Sequence, residues 1–191
     1  MFKLHRHQNQ SQGKNPDLLR IKSSPDNTIH QIAFVLFYSK DDGKDVCCFR
    51  GIDHHPADIE HVTIEINNNY QLLRMYFGSH GKADGLWVDA DNIVYENSSS
   101  RQNPCVYISL GKHGMYPEPK TYHRILFFGN DCCEEGIRWK PKQYTAVTDQ
   151  QWAQYKGYMG DYNVTGMADK GWWNGEVEMS SNFWKRMFCF L

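Results

Sequence analysis

His55-Pro56-Ala57-Asp58-Ile59-Glu60-His61-Val62-Thr63-Ile64-Glu65-Ile66-Asn67 is the stretch on which the fold turns. From Val62 to Asn67 apolar and polar residues alternate with a period of two, the pattern of a half-buried β-strand whose inner face carries Val62, Ile64 and Ile66. Carried backwards, the same parity places Glu60 and Asp58 on that inner face. An unpaired carboxylate in a low-dielectric interior costs several kcal/mol or takes up a proton, so the pair demands a cation: arginine, lysine or a metal ion.

The flanking sequence repeats the strand signal. Ile32-Ala33-Phe34-Val35-Leu36-Phe37-Tyr38 is an apolar, aromatic-rich run that ends at the turn residues Asp41-Asp42-Gly43-Lys44. Val46 to Arg50 reads as a short strand, and the loop Gly51 to Pro56 opens onto the acidic strand. Asn67-Asn68-Asn69 reads as a hairpin turn, with Leu72 to Phe77 returning. Further short strands are expected at Gly85 to Val88, Val106 to Leu110 and Tyr122 to Phe128. The spacing argues for an all-β protein, an antiparallel β-sandwich with one or two short helices, one of them over Thr148 to Tyr155 with Thr148 as its N-cap. Residues 1–28 are polar, broken by Pro16 and Pro25, and read as a flexible arm with Asp17 to Ile21 a short ordered piece. Residues 29–191 form the sandwich domain.

A chain of 191 residues suits one domain with a core of its own. Its net charge of -1, with no basic stripe, gives no pull toward nucleic acid. Six Trp and eleven Tyr favour sheets over helices. Met1 to His7 leads into a polar run rather than a signal-like apolar segment, and no stretch approaches the roughly 20 apolar residues of a membrane span. Cys47-Cys48, Cys132-Cys133, Cys105 and Cys189 have no zinc-ligand spacing, so reduced thiols in an intracellular setting are expected.

Three features bring polar groups to strand ends: the acidic strand with His55 and Asp53 at its start, Ser79-His80-Gly81, and Gly111-Lys112-His113-Gly114-Met115-Tyr116-Pro117. Loops of an antiparallel sandwich collect at its two ends, so His80 and His113 can line the same pocket as His55, Asp58 and Glu60. Carboxylates with one histidine and water suit Ca²⁺, Mg²⁺ or Mn²⁺; further histidines shift the preference toward Zn²⁺ or Fe²⁺. The plain alternative is a structural ion network in which Arg74 or Arg124, from neighbouring strands, neutralises Asp58 and Glu60. His61 alternates to the opposite face. There is no phosphate-binding glycine loop, nucleophile elbow or H-E-x-x-H pattern. Glu134-Glu135 beside Cys132-Cys133 disfavours a thiolate. Trp172-Trp173-Asn174-Gly175-Glu176 suits either sugar stacking or core packing under a loop.

The segment His55 to Thr63 resembles the H-x-x-D-W-E-H-V-T motif of the vacuolar protein sorting-associated protein 62 family and its plant relatives. Tyr76-Phe77-Gly78-Ser79-His80 resembles their Y-F-S-Q-H, followed by Trp87-Val88. Pro104-Cys105-Val106-Tyr107 resembles P-V-V-Y, and Gly111 to Pro117 resembles G-x-H-A-x-Y-P. Trp152 to Asp161 is similar to W-x-x-Y-x-x-x-W-G. A more distant resemblance is to necrosis- and ethylene-inducing peptide-like proteins, whose G-H-R-H-D-W-E heptapeptide aligns its first His, its Asp and its Glu with His55, Asp58 and Glu60; Ala57 and Ile59 depart from it. That resemblance implies a β-sandwich holding a divalent cation, commonly Ca²⁺ or Mg²⁺, in an acidic cavity that helps bind a glycolipid head group. The expected function is a cation-dependent binding module for a glycan or lipid head group, with His55, Asp58 and Glu60 as ligands and Ca²⁺ or Mg²⁺ favoured over Zn²⁺. A metal-assisted hydrolase and a structural protein with a buried polar network are the alternatives.

Overall fold

The computed structural model describes residues 3–6, 17–46, 49–52, 54–79, 85–123, 130–139, 144–146 and 154–158. The described chain is all-β, with a short 3-10 turn at Ala90–Asn92. In chain order the strands are β1 Lys3–Arg6, β2 Asp17–Ser23, β3 Ile29–Asp41, β4 Lys44–Val46, β5 Phe49–Ile52, β6 His55–Asn67, β7 Leu72–Phe77 and β8 Leu86–Asp89. They continue as β9 Tyr95–Asn97, β10 Gln102–Ile108, β11 Met115–Tyr116, β12 Thr121–Tyr122, β13 Asp131–Cys132, β14 Ile137–Trp139 and β15 Tyr144–Ala146. No described helix is long and apolar enough to cross a membrane.

Two large sheets face each other. One runs β15-β2-β3-β6-β7-β8; the other runs β11-β10-β1-β14, with β9 also paired to β10. The core lies between them: Phe34, Leu36, Tyr38, Val62, Ile64, Met75 and Phe77 from the first sheet pack with Val106, Ile108 and Met115 from the second. These are the β-branched, aromatic and long apolar residues that a two-residue period sends to one face of each strand. Most pairs are antiparallel, but β1 runs parallel to β10 and β15 parallel to β2. The stretch read as an arm thus contributes two strands, and Leu19 of β2 packs against the core.

The spine of the first sheet is the pairing of β3 with β6, thirteen residues each, in register from Ile29 opposite Asn67 to Asp41 opposite His55. Phe34 lies across from Val62, Leu36 from Glu60 and Tyr38 from Asp58. The acidic pair therefore continues the core face of β6, as its alternation predicts. The hairpin at Asn67 is also as expected: Tyr70 N–H donates to the Asn67 carbonyl at 2.9 Å, and the Asn67 side-chain oxygen accepts from Asn69 N–H at 2.9 Å. The helix expected over Thr148 to Tyr155 lies almost entirely outside the described residues.

Candidate functional site

The paired ends of β3 and β6 form one end of the sandwich. Asp41, the last residue of β3, is only 4% exposed, and its Oδ1 accepts the Gly43 N–H at 2.6 Å, a turn in which the side chain substitutes for backbone. Gly43 has φ of +66°, and a Cβ there would meet the Ile52 carbonyl at 2.6 Å, so no other residue fits this corner. The next residue ties down a second loop: Asp42 N–H donates to the Gly111 carbonyl at 3.0 Å. His113 N–H donates to the Ser109 carbonyl, and Ser109 N–H to the Gly114 carbonyl, which closes the turn carrying Lys112 and His113. Both side chains are buried.

The two imidazoles are held by their Nδ1 atoms. His113 Nδ1 lies 2.9 Å from Asp58 Oδ2, and its ring stacks on Tyr38 with centroids 3.8 Å apart and planes 5° from parallel. His55 Nδ1 lies 3.0 Å from the Ala57 carbonyl, which can only accept, so Nδ1 carries the proton. His55 Nε2 lies 3.7 Å from Asp41 Oδ2. Ala57 and His113 both take positive φ, 59° and 56°. Left-handed backbone costs a non-glycine residue roughly 1–2 kcal/mol, and such outliers gather at functional sites.

Burial raises the Asp41 carboxyl above its usual range; the Gly43 N–H, Lys112 and His55 pull it back, and Asp58 pushes it further up. Asp58, Lys112 and His55 are thus close enough for their charges to act on Asp41, and Glu60, buried as well, lies one pleat further along the core face from Asp58. In donor chemistry the group fits a divalent cation: carboxylate oxygens with an imidazole nitrogen at their edge. Among the described residues no three or more His, Cys, Asp or Glu side chains converge to hold a metal by themselves.

His55, Asp58, Glu60 and His113 are brought to the same end of the sandwich. Asp53, His80, Trp172 and Trp173 lie outside the described residues, as does Arg124. Arg74 does not neutralise Asp58 or Glu60. It stands opposite Glu65, on the other face of the sheet, and donates to both Glu65 oxygens, Nη2 to Oε1 at 3.0 Å. His61 is also on that opposite face, its ring 5.4 Å from Tyr76. Three participants were missed from sequence: Asp41, Lys112 and Tyr38. The pairing of Leu36 with Glu60, continued outward, sets Asp41 against His55; once β3 and β6 are recognised as partners, that register is the signal. Cys105, Cys132 and Cys133 are not joined in disulfides, and Cys105 and Cys133 pack in a separate cluster with Tyr107 and Tyr116.

A family model described as vacuolar protein sorting-associated protein 62 matches residues 33–178, in agreement with the resemblance carried by His55 to Thr63. No curated protein and no solved structure matches the chain.

Proposed function

We propose, starting from a chain that belongs to the vacuolar protein sorting-associated protein 62 family, that the acidic end of its sandwich binds a polar ligand, a glycan or lipid head group, through a divalent cation. The observation that supports this reading is the burial of Asp41, Asp58 and Glu60 at one loop end of the sandwich, beside His55 and His113. Burial disfavours the ionised form of Asp41, and the neighbouring Asp58 adds to that cost. A hard cation offsets both effects; on carboxylate oxygens Ca²⁺ or Mg²⁺ is better suited than Zn²⁺. When bound, the ion attracts ligand oxygens by its charge. One or two of the carboxylates Asp41, Asp58 and Glu60, with His55 at the edge, would supply its few protein donors, and His113, held by Asp58 and Tyr38, would stand beside the ligand.

The test begins with the metal content of native protein and its melting temperature with and without chelator. The expected result is a bound divalent ion and a melting temperature lowered by several degrees when it is removed. Saturable binding to a glycan and head-group panel should then be lost both in chelator and in Asp58→Asn. Protein without metal, indifferent to chelator, overturns the reading. One observation supports a second reading: Lys112, buried beside Asp41, is an internal counter-ion, as a purely structural network would require. That network predicts no metal and a large loss of stability in Lys112→Met.

A further inference from the structure

We infer that, independently of any cation at the loop end, residues 159–178 of this chain dock through Trp172-Trp173 across the outer face of the first sheet as a third layer. Strand β6 buries every residue from Ala57 to Glu65, on both of its faces, where a half-buried strand would bury alternate ones. The face turned away from the core carries Val35 of β3, 1% exposed, and Thr63 of β6, 2% exposed, with Ile59, His61 and Tyr76 buried beside them. Among the described elements β6 packs on β3, β7 and β11; the first two are its neighbours in the sheet, and Met115 of β11 lies in the core on the other side. The burial of the outer face is reached within one chain, so the cover is the chain's own.

Length, starting point and composition single out 159–178. The family match runs to residue 178, so these residues belong to the matched domain. They follow β15, the edge strand of this same sheet, and the crossing from β15 to β7 spans four strand spacings, about 19 Å. About six extended residues cover that distance. The segment is rich in apolar side chains, among them Tyr162, Val164, Met167, Trp172 and Trp173. The other apolar stretch beyond the described residues, Ile125-Leu126-Phe127-Phe128, is joined at its two ends to β12 and β13. Tyr122 and Cys133 there pack with Cys105 and Tyr107, on the far side of the second sheet, which tethers that stretch to the wrong side of the sandwich. Thr63 Oγ1, buried and without a hydrogen-bond partner among the described residues, is an acceptor for an indole N–H, which can only donate. Trp172 and Trp173 then belong to a packed layer and not to a sugar platform.

The test is made in the intact chain, with the photo-cross-linker p-benzoylphenylalanine at Phe37, which stands opposite Ile59 on the rim of the same face and is 50% exposed. Irradiation should join position 37 to a peptide within 159–178, in a product that runs as a monomer. Joining to a second copy, in a product of doubled mass, overturns the inference, as does capture of other segments only or of none. Trp172→Ala or Trp173→Ala, whichever ring meets the sheet, should lower the melting temperature by at least about 6 °C, the scale of a buried tryptophan truncated in a chain of this size. Trp184→Ala, outside the segment, should shift it by less than about 2 °C. Exposed rings on a sugar platform predict no such loss from either tryptophan, and that result also overturns the inference. If both variants fail to fold, the cross-link decides.

Discussion

Strand β6 buries carboxylates near both of its ends, and the two ends solve the same electrostatic problem in opposite ways. At the hairpin end Glu65 is 5% exposed and fully furnished: Arg74 donates to both oxygens, Gln31 Nε2 donates to Oε1 at 2.7 Å, and the Arg74 guanidinium lies 4.1 Å from the Trp87 ring centroid. Bidentate pairing of this kind is a strong form of ion pair, and the hydrogen bond to Glu65 is the main reason the Arg74 pKa is raised. At the loop end Asp41 and Asp58 crowd each other, the backbone is strained at Ala57 and His113, and Asp41 Oδ2 stands 3.7 Å from His55 Nε2, beyond hydrogen-bond distance. A protein that only needed a stable sheet has, in Glu65 and Arg74, the cheaper arrangement within a few residues. The contrast marks the hairpin end as a completed ion pair, and the proposed binding concerns the other end.

The largest effect belongs to the furnished end. Arg74→Ala leaves Glu65 buried without its cation, a change that costs about 3–5 kcal/mol when both partners are fully buried. Arg74 keeps 43% of its side-chain surface exposed, so solvent screening lowers the expected loss to about 2–3 kcal/mol. Urea denaturation measures it, and cation binding by the folded fraction should be unchanged. A loss below about 0.5 kcal/mol would mean that Glu65 is no more a structural carboxylate than Asp41.

The strained end gives a smaller effect with a different signature. Ala57→Val puts a β-branched side chain into buried left-handed backbone and should cost about 2 kcal/mol. It should also displace the carbonyl that holds His55 and so weaken cation binding. Ala57→Gly relieves the strain but loosens the unfolded chain, and the balance is expected within about 1 kcal/mol of wild type, with cation binding retained. If Val and Gly behave alike in stability and in cation affinity, the positive φ at Ala57 has no part in positioning His55.

Much of this contrast was legible in the sequence, and the exceptions share a physical cause. Period-two alternation sufficed to place Asp58 and Glu60 on the core face and His61 on the other, because parity is a local property of a strand. Loop clustering brought His113 to the right end. Arg74 was assigned the wrong partner because its mate depends on strand register, and β6 and β7 shift register between Glu65 and Ile66. Asp41 sits in Asp-Asp-Gly-Lys, whose composition is that of a solvated turn; it is buried where Asp42 meets Gly111, a contact between residues far apart in sequence. Nothing in an alanine announces left-handed backbone, so Ala57 was silent. The parallel pairing of β1 with β10 is equally non-local, which is why the N-terminal residues read as an arm.

The smallest predicted effect separates the two ends most sharply, because it has opposite signs for stability and for binding. Burial raises the Asp41 pKa above its ordinary value and outweighs the attraction of Gly43, Lys112 and His55. Between the unfolded-state value and the raised folded-state value, the folded chain holds more protons than the unfolded chain. This group therefore makes stability fall as pH rises through that window. Below the window Asp41 is protonated in both states and contributes nothing; above it the full cost of a buried charge is present. Asp41→Asn removes the cost, so in chelator at neutral pH the variant should be more stable than wild type, by about 1 kcal/mol, the usual scale of one side-chain change. The difference should shrink toward zero as the pH is lowered through the window, a trend that thermal melts across pH can follow. The same substitution at the other end, Glu65→Gln, should destabilise, because Arg74 loses its partner. If Asp41→Asn also destabilises in chelator, Asp41 is held by its neighbours as firmly as Glu65 is, and the loop end is a second structural network.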